Sequence, residues 1–300
     1  MNIKYFKEYA ALRLGRQYKT PELQFFIGSL LEGIAGIPRY AYYTREEDVL
    51  DNQQRKALLF AVDQAAAGKP LQYILGSVVF GNCRIKVDKR VLIPRPETEE
   101  LWSRASKIPG RVLDAGTGSG CLAIALKKER PEYDVFAFDS SAGALDLAKE
   151  NAVLNNVEVH FFHARMENDD GQETTEGTEK TGKVETAAAQ VGLEAETVDL
   201  LVSNPPYVTE KEKEQMLHRV LAFEPAEALF VPNEDPLVHY RALASVGVRF
   251  LRPGGVLLAE INEAYGSDVG QLFEERGYTQ VQIHEDLHKK DRFVQAEKRQ

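Results

Sequence analysis

Apolar residues along this chain change their spacing twice, and each change marks a different kind of element. From residue 20 they recur at helical intervals through Leu23, Phe26, Ile27, Leu30 and Leu31. Thr20-Pro21 opens that stretch as a cap followed by proline at the first helical position, where a missing N–H is no loss. Thr44, with Glu47 three residues later, makes a capping-box pattern for a second helix through Leu50, Ala57, Leu58, Phe60 and Ala61, stopping near Gly68. Over 71–87 the pattern turns to strands, with Gly81-Asn82 as the turn of a hairpin. Beyond it, strands are expected at 112–114, 135–138, 157–162, 200–203 and 256–261, with helices at 142–155, 236–250 and 267–276 between them. Short strands at 278–283 and 293–296 finish the series. This alternation predicts a doubly wound α/β sheet over 97–300, preceded by a small helical domain, 1–70, and a bridging β-hairpin, 71–96.

Composition narrows the picture. Three hundred residues suit one large domain with a smaller companion. The formal charge of −9 argues against a protein that tracks nucleic-acid backbones, since such affinity comes from clustered Lys and Arg, but it suits a basic protein partner. Two cysteines, Cys83 and Cys121, fit a reducing compartment, and neither has a His or second Cys at metal-ligand spacing, so no metal site is expected. The first twenty residues mix Lys4, Lys7, Glu8, Arg13 and Arg16 among apolar positions, unlike a signal peptide, and no apolar run approaches transmembrane length. The expectation is a soluble, cytoplasmic monomer. Residues 167–197 are rich in Glu, Thr, Gly, Lys and Gln, with few large apolar residues before Val191, and read as a flexible surface insertion between the third and fourth strands.

Two motifs carry chemistry. Asn204-Pro205-Pro206-Tyr207 directly follows the apolar run Leu200-Leu201-Val202-Ser203. An amide or exocyclic amine is a poor nucleophile because its lone pair is delocalised, so a site that alkylates it must hold both N–H bonds and turn the lone pair toward an electrophile. The Asn204 side-chain oxygen can accept one bond and the Pro205 carbonyl the other, on a backbone that two prolines stiffen. Tyr207 offers a face for stacking. Taken alone, the tetrapeptide reads equally well as a turn. The second motif is Gly116-Thr117-Gly118-Ser119-Gly120, after the strand Val112-Leu113-Asp114-Ala115 and before a helical stretch from Cys121. Cys121 occupies the place where a dinucleotide fingerprint needs its third glycine, so alternating glycines here suit an adenosine with an amino-acid tail. Asp139, ending the next strand, can accept from both ribose hydroxyls.

With these motifs the chain resembles the S-adenosylmethionine-dependent amino-methyltransferases. Pro70-Leu71-Gln72-Tyr73-Ile74-Leu75-Gly76, Phe80-Gly81 and the run Ile93-Pro94-Arg95-Pro96-Glu97-Thr98-Glu99 narrow the resemblance to the HemK/PrmC family, the release-factor glutamine methyltransferases. Glu224-Pro225-Ala226-Glu227-Ala228-Leu229, Leu251-Arg252-Pro253-Gly254-Gly255 and Lys290-Asp291-Arg292-Phe293-Val294 extend it from about residue 20 to 296. The resemblance implies a class I methyltransferase-like sheet whose last two strands are antiparallel, with S-adenosyl-L-methionine as cofactor. It also implies, as substrate, the glutamine of the Gly-Gly-Gln loop in class I peptide chain release factors, methylated at N5. Catalysis would rest on Asn204, Pro205 and Tyr207, substrate binding on those three with Pro206, and cofactor binding on Gly116, Thr117, Gly118, Ser119, Gly120, Asp139 and Asn204. The family's acidic and aromatic residues beside the adenine correspond here to Arg165 and Met166, a departure; Met166 reads as a thioether cover for a purine or equally as packing. Glu97 and Glu99 read as cofactor contacts or equally as first-turn acids of a helix, and Arg95 as a positioner of the substrate carbonyl or as the partner of a neighbouring acid.

The residues leave other readings open. A flat NH2 group is equally an adenine N6 or cytosine N4, so a nucleic-acid methyltransferase is the alternative, against which the acidic balance and helical start weigh. A noncatalytic module of the same fold is opposed by the intact Asn204 and glycine turn.

Overall fold

A computed structural model describes residues 1–166, 182–216 and 218–300. Contacts divide the chain into a helical unit, Met1–Ser77 together with the short helix His218–Phe223, and an α/β unit containing the rest.

The helical unit is built from α1 (Ile3–Leu14), α2 (Thr20–Ala35), α3 (Ala41–Thr44), α4 (Asn52–Ala66) and α5 (Leu71–Leu75). Phe6, Ala10 and Leu14 meet Phe26, Ile27, Leu30, Leu31, Leu58 and Val62 in one buried core. The helical spacing read over 20–35 is this buried stripe of α2, although Lys19 is its cap and Pro21 lies in its first turn. The Thr44/Glu47 pattern does not start a helix. Asp51 does, accepting from the Gln54 backbone N–H at 2.8 Å while the Gln54 side chain accepts from the Asp51 N–H at 3.1 Å. The reciprocal pair satisfies two N–H groups that a helix start leaves over. Residues 71–75, expected as strand, are a helical turn: Pro70 precedes them and Gly76, at φ +72°, ends them.

The α/β unit opens with the hairpin β1 (Ser77–Phe80) and β2 (Cys83–Lys86), then α6 (Pro96–Ala105). The series continues with β3 (Arg111–Ala115), α7 (Cys121–Glu129), β4 (Asp134–Asp139), α8 (Ala142–Asn155) and β5 (His160–Arg165). After residues 167–181, which lie outside the described residues, come β6 (Gly182–Lys183), α9 (Val184–Gln190) and β7 (Val198–Ser203). The remainder is β8 (Val208–Thr209), α10 (the His218–Phe223 helix already assigned to the helical unit), β9 (Phe230–Val231), α11 (Val238–Phe250), β10 (Leu251–Glu260), α12 (Gly266–Glu275), β11 (Tyr278–Glu285) and β12 (Asp291–Lys298).

One eight-stranded sheet runs in the order β11-β12-β10-β7-β3-β4-β5-β6. From β10 to β6 neighbours are parallel; β12 is antiparallel to both β10 and β11. The strand order reverses between β3 and β7, the topological switch point where such sheets bind ligands. Strands buried on both faces explain the continuous apolar runs, such as Leu200-Leu201-Val202, all fully buried. At the outer edge, the β11–β12 register shifts between Thr279 and Gln282, where Gln280 adopts φ +53°.

The stretch 184–193 differs from the loop expected there. Val184, Ala187, Ala188 and Leu193 are buried in the main core beside Phe162 and Ala164 of β5. Small alanines at helical spacing cover the sheet with little side-chain entropy to lose, so a polar composition average conceals a packing helix.

Asp51→Ala should lower the stability of the helical unit by about 1 kcal/mol, read from urea unfolding followed by circular dichroism, with Asp51→Asn retaining most of it.

Candidate active site

Strand register decides which residues share the crevice. Ala115 pairs with Phe138 on one side and Ser203 on the other, and Ser203 pairs with Ala259. The next residue along each strand, Gly116, Asp139, Asn204 and Glu260, therefore reaches the same level at the carboxyl edge. A cavity of about 1140 Å³ opens there. Of the residues expected at the site, Gly116, Thr117, Gly118, Ser119, Asp139, Asn204 and Pro206 line it. Gly120, Pro205 and Tyr207 do not: a Cβ on Gly120 would meet Ile124 Cδ1 at 2.9 Å and Ala148 Cβ at 3.0 Å, and Pro205 is buried.

The glycine spacing has a conformational cause. Gly116, Gly118 and Gly120 take φ of +73°, +54° and +78°, so every second residue is left-handed, a state other side chains rarely adopt. At Gly116 and Gly118 a Cβ would meet nothing within 4 Å. Their bareness leaves open room that a bound group can enter. The turn is held from beneath: the Gly116 and Thr117 N–H groups both donate to the Phe138 carbonyl at 2.9 Å, and the Thr117 hydroxyl donates to Asp114 at 2.6 Å. Asp139 takes the Gly118 N–H on one oxygen and the Ser141 N–H on the other, each at 2.8 Å. Burial raises the Asp139 carboxyl above its ordinary range, and the two amides oppose that shift. Each oxygen keeps a second lone pair, so donors from a sugar can still be accepted.

Asn204 is tied on one side only. Its Nδ2 donates to Thr98 Oγ1 at 3.0 Å, whereas its Oδ1 accepts from no described residue. Thr98, in the first turn of α6 and 4% exposed, donates in turn to Glu260 Oε2 at 2.9 Å. The other Glu260 oxygen accepts from the Tyr207 hydroxyl at 2.8 Å. Tyr207 thus anchors inward against the core, its carbonyl further held by Asn262 Nδ2 at 3.2 Å. Burial pushes Glu260 up to about 7, against the hydrogen bonds from Tyr207 and Thr98 and the nearby charge of Arg292. Burial, then the charge of Glu260, hold the Tyr207 phenol well above its ordinary value, so it stays a donor.

Around the rim, Arg95 pairs with the buried Glu224 at 2.7 Å, and Glu224 also takes the Ile93 N–H at 3.0 Å. Glu97 and Glu99 lie in the first turn of α6, and Glu99 accepts from the Gly81 N–H at 3.4 Å. Arg165 and Met166 line the cavity with His239, which burial lowers to about 4 and so keeps neutral. Thr98, Glu260 and His239 escaped the sequence reading. Thr98 lies within the run Ile93-Pro94-Arg95-Pro96-Glu97-Thr98-Glu99 with no chemistry that local spacing would single out, and Glu260 carries one signal, a carboxylate closing the apolar run Val256-Leu257-Leu258-Ala259.

Open left-handed glycines, a carboxylate beside them and a cavity of this size fit an adenosine bearing an amino-acid tail. Residues 78–176 match the family described as the methyltransferase small domain, and residues 8–76 match the PrmC N-terminal domain. The α/β unit is accordingly the catalytic fold of an S-adenosylmethionine-dependent methyltransferase. The chain is 37% identical to the release factor glutamine methyltransferase of Bacteroides thetaiotaomicron, over 87% of each chain. To the protein of the same name from Flavobacterium psychrophilum it is 33% identical, over 99% of each chain. The chain belongs to the release factor glutamine methyltransferase family.

Asp139→Ala should weaken S-adenosylmethionine binding about tenfold or more, since a charged acceptor contributes about 1.5–3 kcal/mol per hydrogen bond. Titration calorimetry giving an unchanged Kd would contradict a ribose role. A second test follows from Glu260. Its folded carboxyl holds a proton up to about pH 7, while an ordinary glutamate releases it near 4.5. Between these values the unfolded chain binds fewer protons, so rising pH costs stability. The unfolding free energy of Glu260→Gln, relative to wild type, should therefore rise by up to about 3 kcal/mol between pH 5 and 8 in parallel denaturation curves.

Proposed function

We propose that this chain transfers the methyl group of S-adenosylmethionine to the side-chain amide nitrogen, N5, of the glutamine in the Gly-Gly-Gln loop of class I peptide chain release factors. The observation that carries the reading is the free Oδ1 of Asn204, level with the left-handed glycines and Asp139 at the mouth of one cavity. The names of the relatives above support the same substrate. Two free buried cysteines and the translational substrate favour a cytoplasmic protein, and among the described residues no helix is long and apolar enough to cross a membrane.

Gly116, Gly118 and Asp139 would hold the cofactor, which supplies a methyl already activated on a sulfonium. The protein's own work is orientation. Asn204 Oδ1 accepts one N–H of the substrate amide, and the carbonyl of the buried Pro205, bonded to the nitrogen of the cavity-lining Pro206, is the acceptor nearest to hand for the other. Together they turn the nitrogen lone pair out of conjugation and toward the methyl. Pro206 has no N–H to compete for either acceptor. As the nitrogen gains positive charge, both acceptors bind it more strongly than they bind the neutral amide, and that difference lowers the barrier. No general base is needed at the motif, because the proton leaves to water after transfer. Tyr207, expected to stack on the amide plane, is better placed by its hydroxyl bond to keep the motif rigid.

Incubation with labelled S-adenosylmethionine and, separately, a class I release factor and duplex DNA should label the release factor at its Gly-Gly-Gln glutamine. Label on the DNA would favour an amino-methyltransferase of nucleic acid instead. Asn204→Ala should lower transfer by about 10²–10³ or more, the scale for loss of one oriented polar partner, with cofactor affinity within about threefold. Undiminished transfer would remove Asn204 from the mechanism.

A further inference from the structure

The value of Asn204 depends on which end of its amide faces the cavity, and a buried chain of hydrogen bonds determines that. The chain begins at Glu260, 1% exposed, whose two carboxylate oxygens accept from Thr98 Oγ1 at 2.9 Å and from the Tyr207 hydroxyl at 2.8 Å. A hydroxyl has a single proton. With that proton committed to an ionised Glu260, Thr98 presents only lone pairs to Asn204, 3.0 Å away. The Asn204 amide must then offer its NH2 to Thr98, and its oxygen is left for the cavity. An amide rotated the other way would set oxygen against oxygen and leave a buried pair unmade, at about 1–3 kcal/mol, which is a preference of about 5- to 150-fold.

We infer that Glu260, acting through Thr98, is the positioning residue that makes Asn204 an acceptor toward the substrate amine. The inference rests on the reading of Asn204 given above and adds to it the polarity of the amide. It has a consequence in pH. A proton on Glu260 Oε2 forces Thr98 to accept from the carboxyl and donate to Asn204, which reverses the amide and points two N–H groups at a substrate that itself offers N–H groups. The groups facing that carboxyl are Thr98 and Glu97 of α6, Tyr207 of the motif and Arg292 of β12, with Tyr240 of α11 close by, its hydroxyl donating to the Glu260 backbone carbonyl at 3.2 Å. Tyr207, Tyr240 and Arg292 keep their protons through the neutral range.

The experiment compares wild type, Thr98→Val and Thr98→Ser in single-turnover methylation of a release factor across pH 6 to 9, with S-adenosylmethionine affinity measured alongside. Valine keeps the shape and removes the hydroxyl, so kcat should fall about tenfold or more at pH 8 while cofactor Kd changes less than twofold. Serine keeps the hydroxyl and should restore kcat to within about threefold. Wild type and Thr98→Ser should lose rate below about pH 7, and Thr98→Val should show a flatter profile there. Should Thr98→Val match wild type, or should Thr98→Ser fail to rescue its loss, the relay is refuted while the role of Asn204 stands. A wild-type protein that leaves every release factor unlabelled refutes the reading of the site itself and the relay with it.

Discussion

Everything at the carboxyl edge of the sheet depends on the parallel register of four strands. Because Ala115, Phe138, Ser203 and Ala259 lie side by side, the residues that follow them meet without any loop having to bring them together. A slip of one residue in β7 would turn Asn204 to the other face and bury it. The register is in turn held by packing: Leu201 and Val202 are fully buried between neighbours, and the Ser203 hydroxyl donates to the Ala115 carbonyl at 2.7 Å within the same layer. Catalytic geometry and core packing are thus one problem, solved by the apolar runs.

That dependence explains which parts were legible in the sequence. The central strands and α8 follow from long apolar stretches and punctuated helical spacing, and 142–155 appears in the structure with the bounds its pattern suggested. The glycine turn was legible because left-handed backbone leaves a residue-type signature. Less visible were features whose cause lies elsewhere in the chain. Thr44 and Glu47 had the right types at the right spacing, and so did Asp51 and Gln54, but only tertiary packing of the helix that follows selects the second pair. The short helix at 71–75 is set by Pro70 and Gly76 at its ends, while its apolar content is equally that of a strand. Alanines within 184–190 were hidden by the polar residues around them.

The site shows the same division. Asn204, Asp139 and the open glycines could be read because their chemistry is local. Thr98 and Glu260 lie 162 positions apart, joined by one hydrogen bond across α6 and β10, and no local pattern announces such a pair. Tyr207 was read as a surface for substrate, but its hydroxyl finds a carboxylate in the interior, since a buried phenol needs a partner and Glu260 needs a donor. Sequence motifs mark what a site presents outward; what steadies it from behind becomes visible only once distant segments are packed together.

The far margin of the sheet has its own consequence. An outermost strand with unpaired N–H and C=O groups can template fibres by adding strands from other molecules. In β11 the displaced pairing between Thr279 and Gln282 and the left-handed Gln280 break that row into short, misaligned pieces. A second strand approaching this border meets an edge that is bent at Gln280, a device of the kind that disfavours edge-to-edge pairing between sheets.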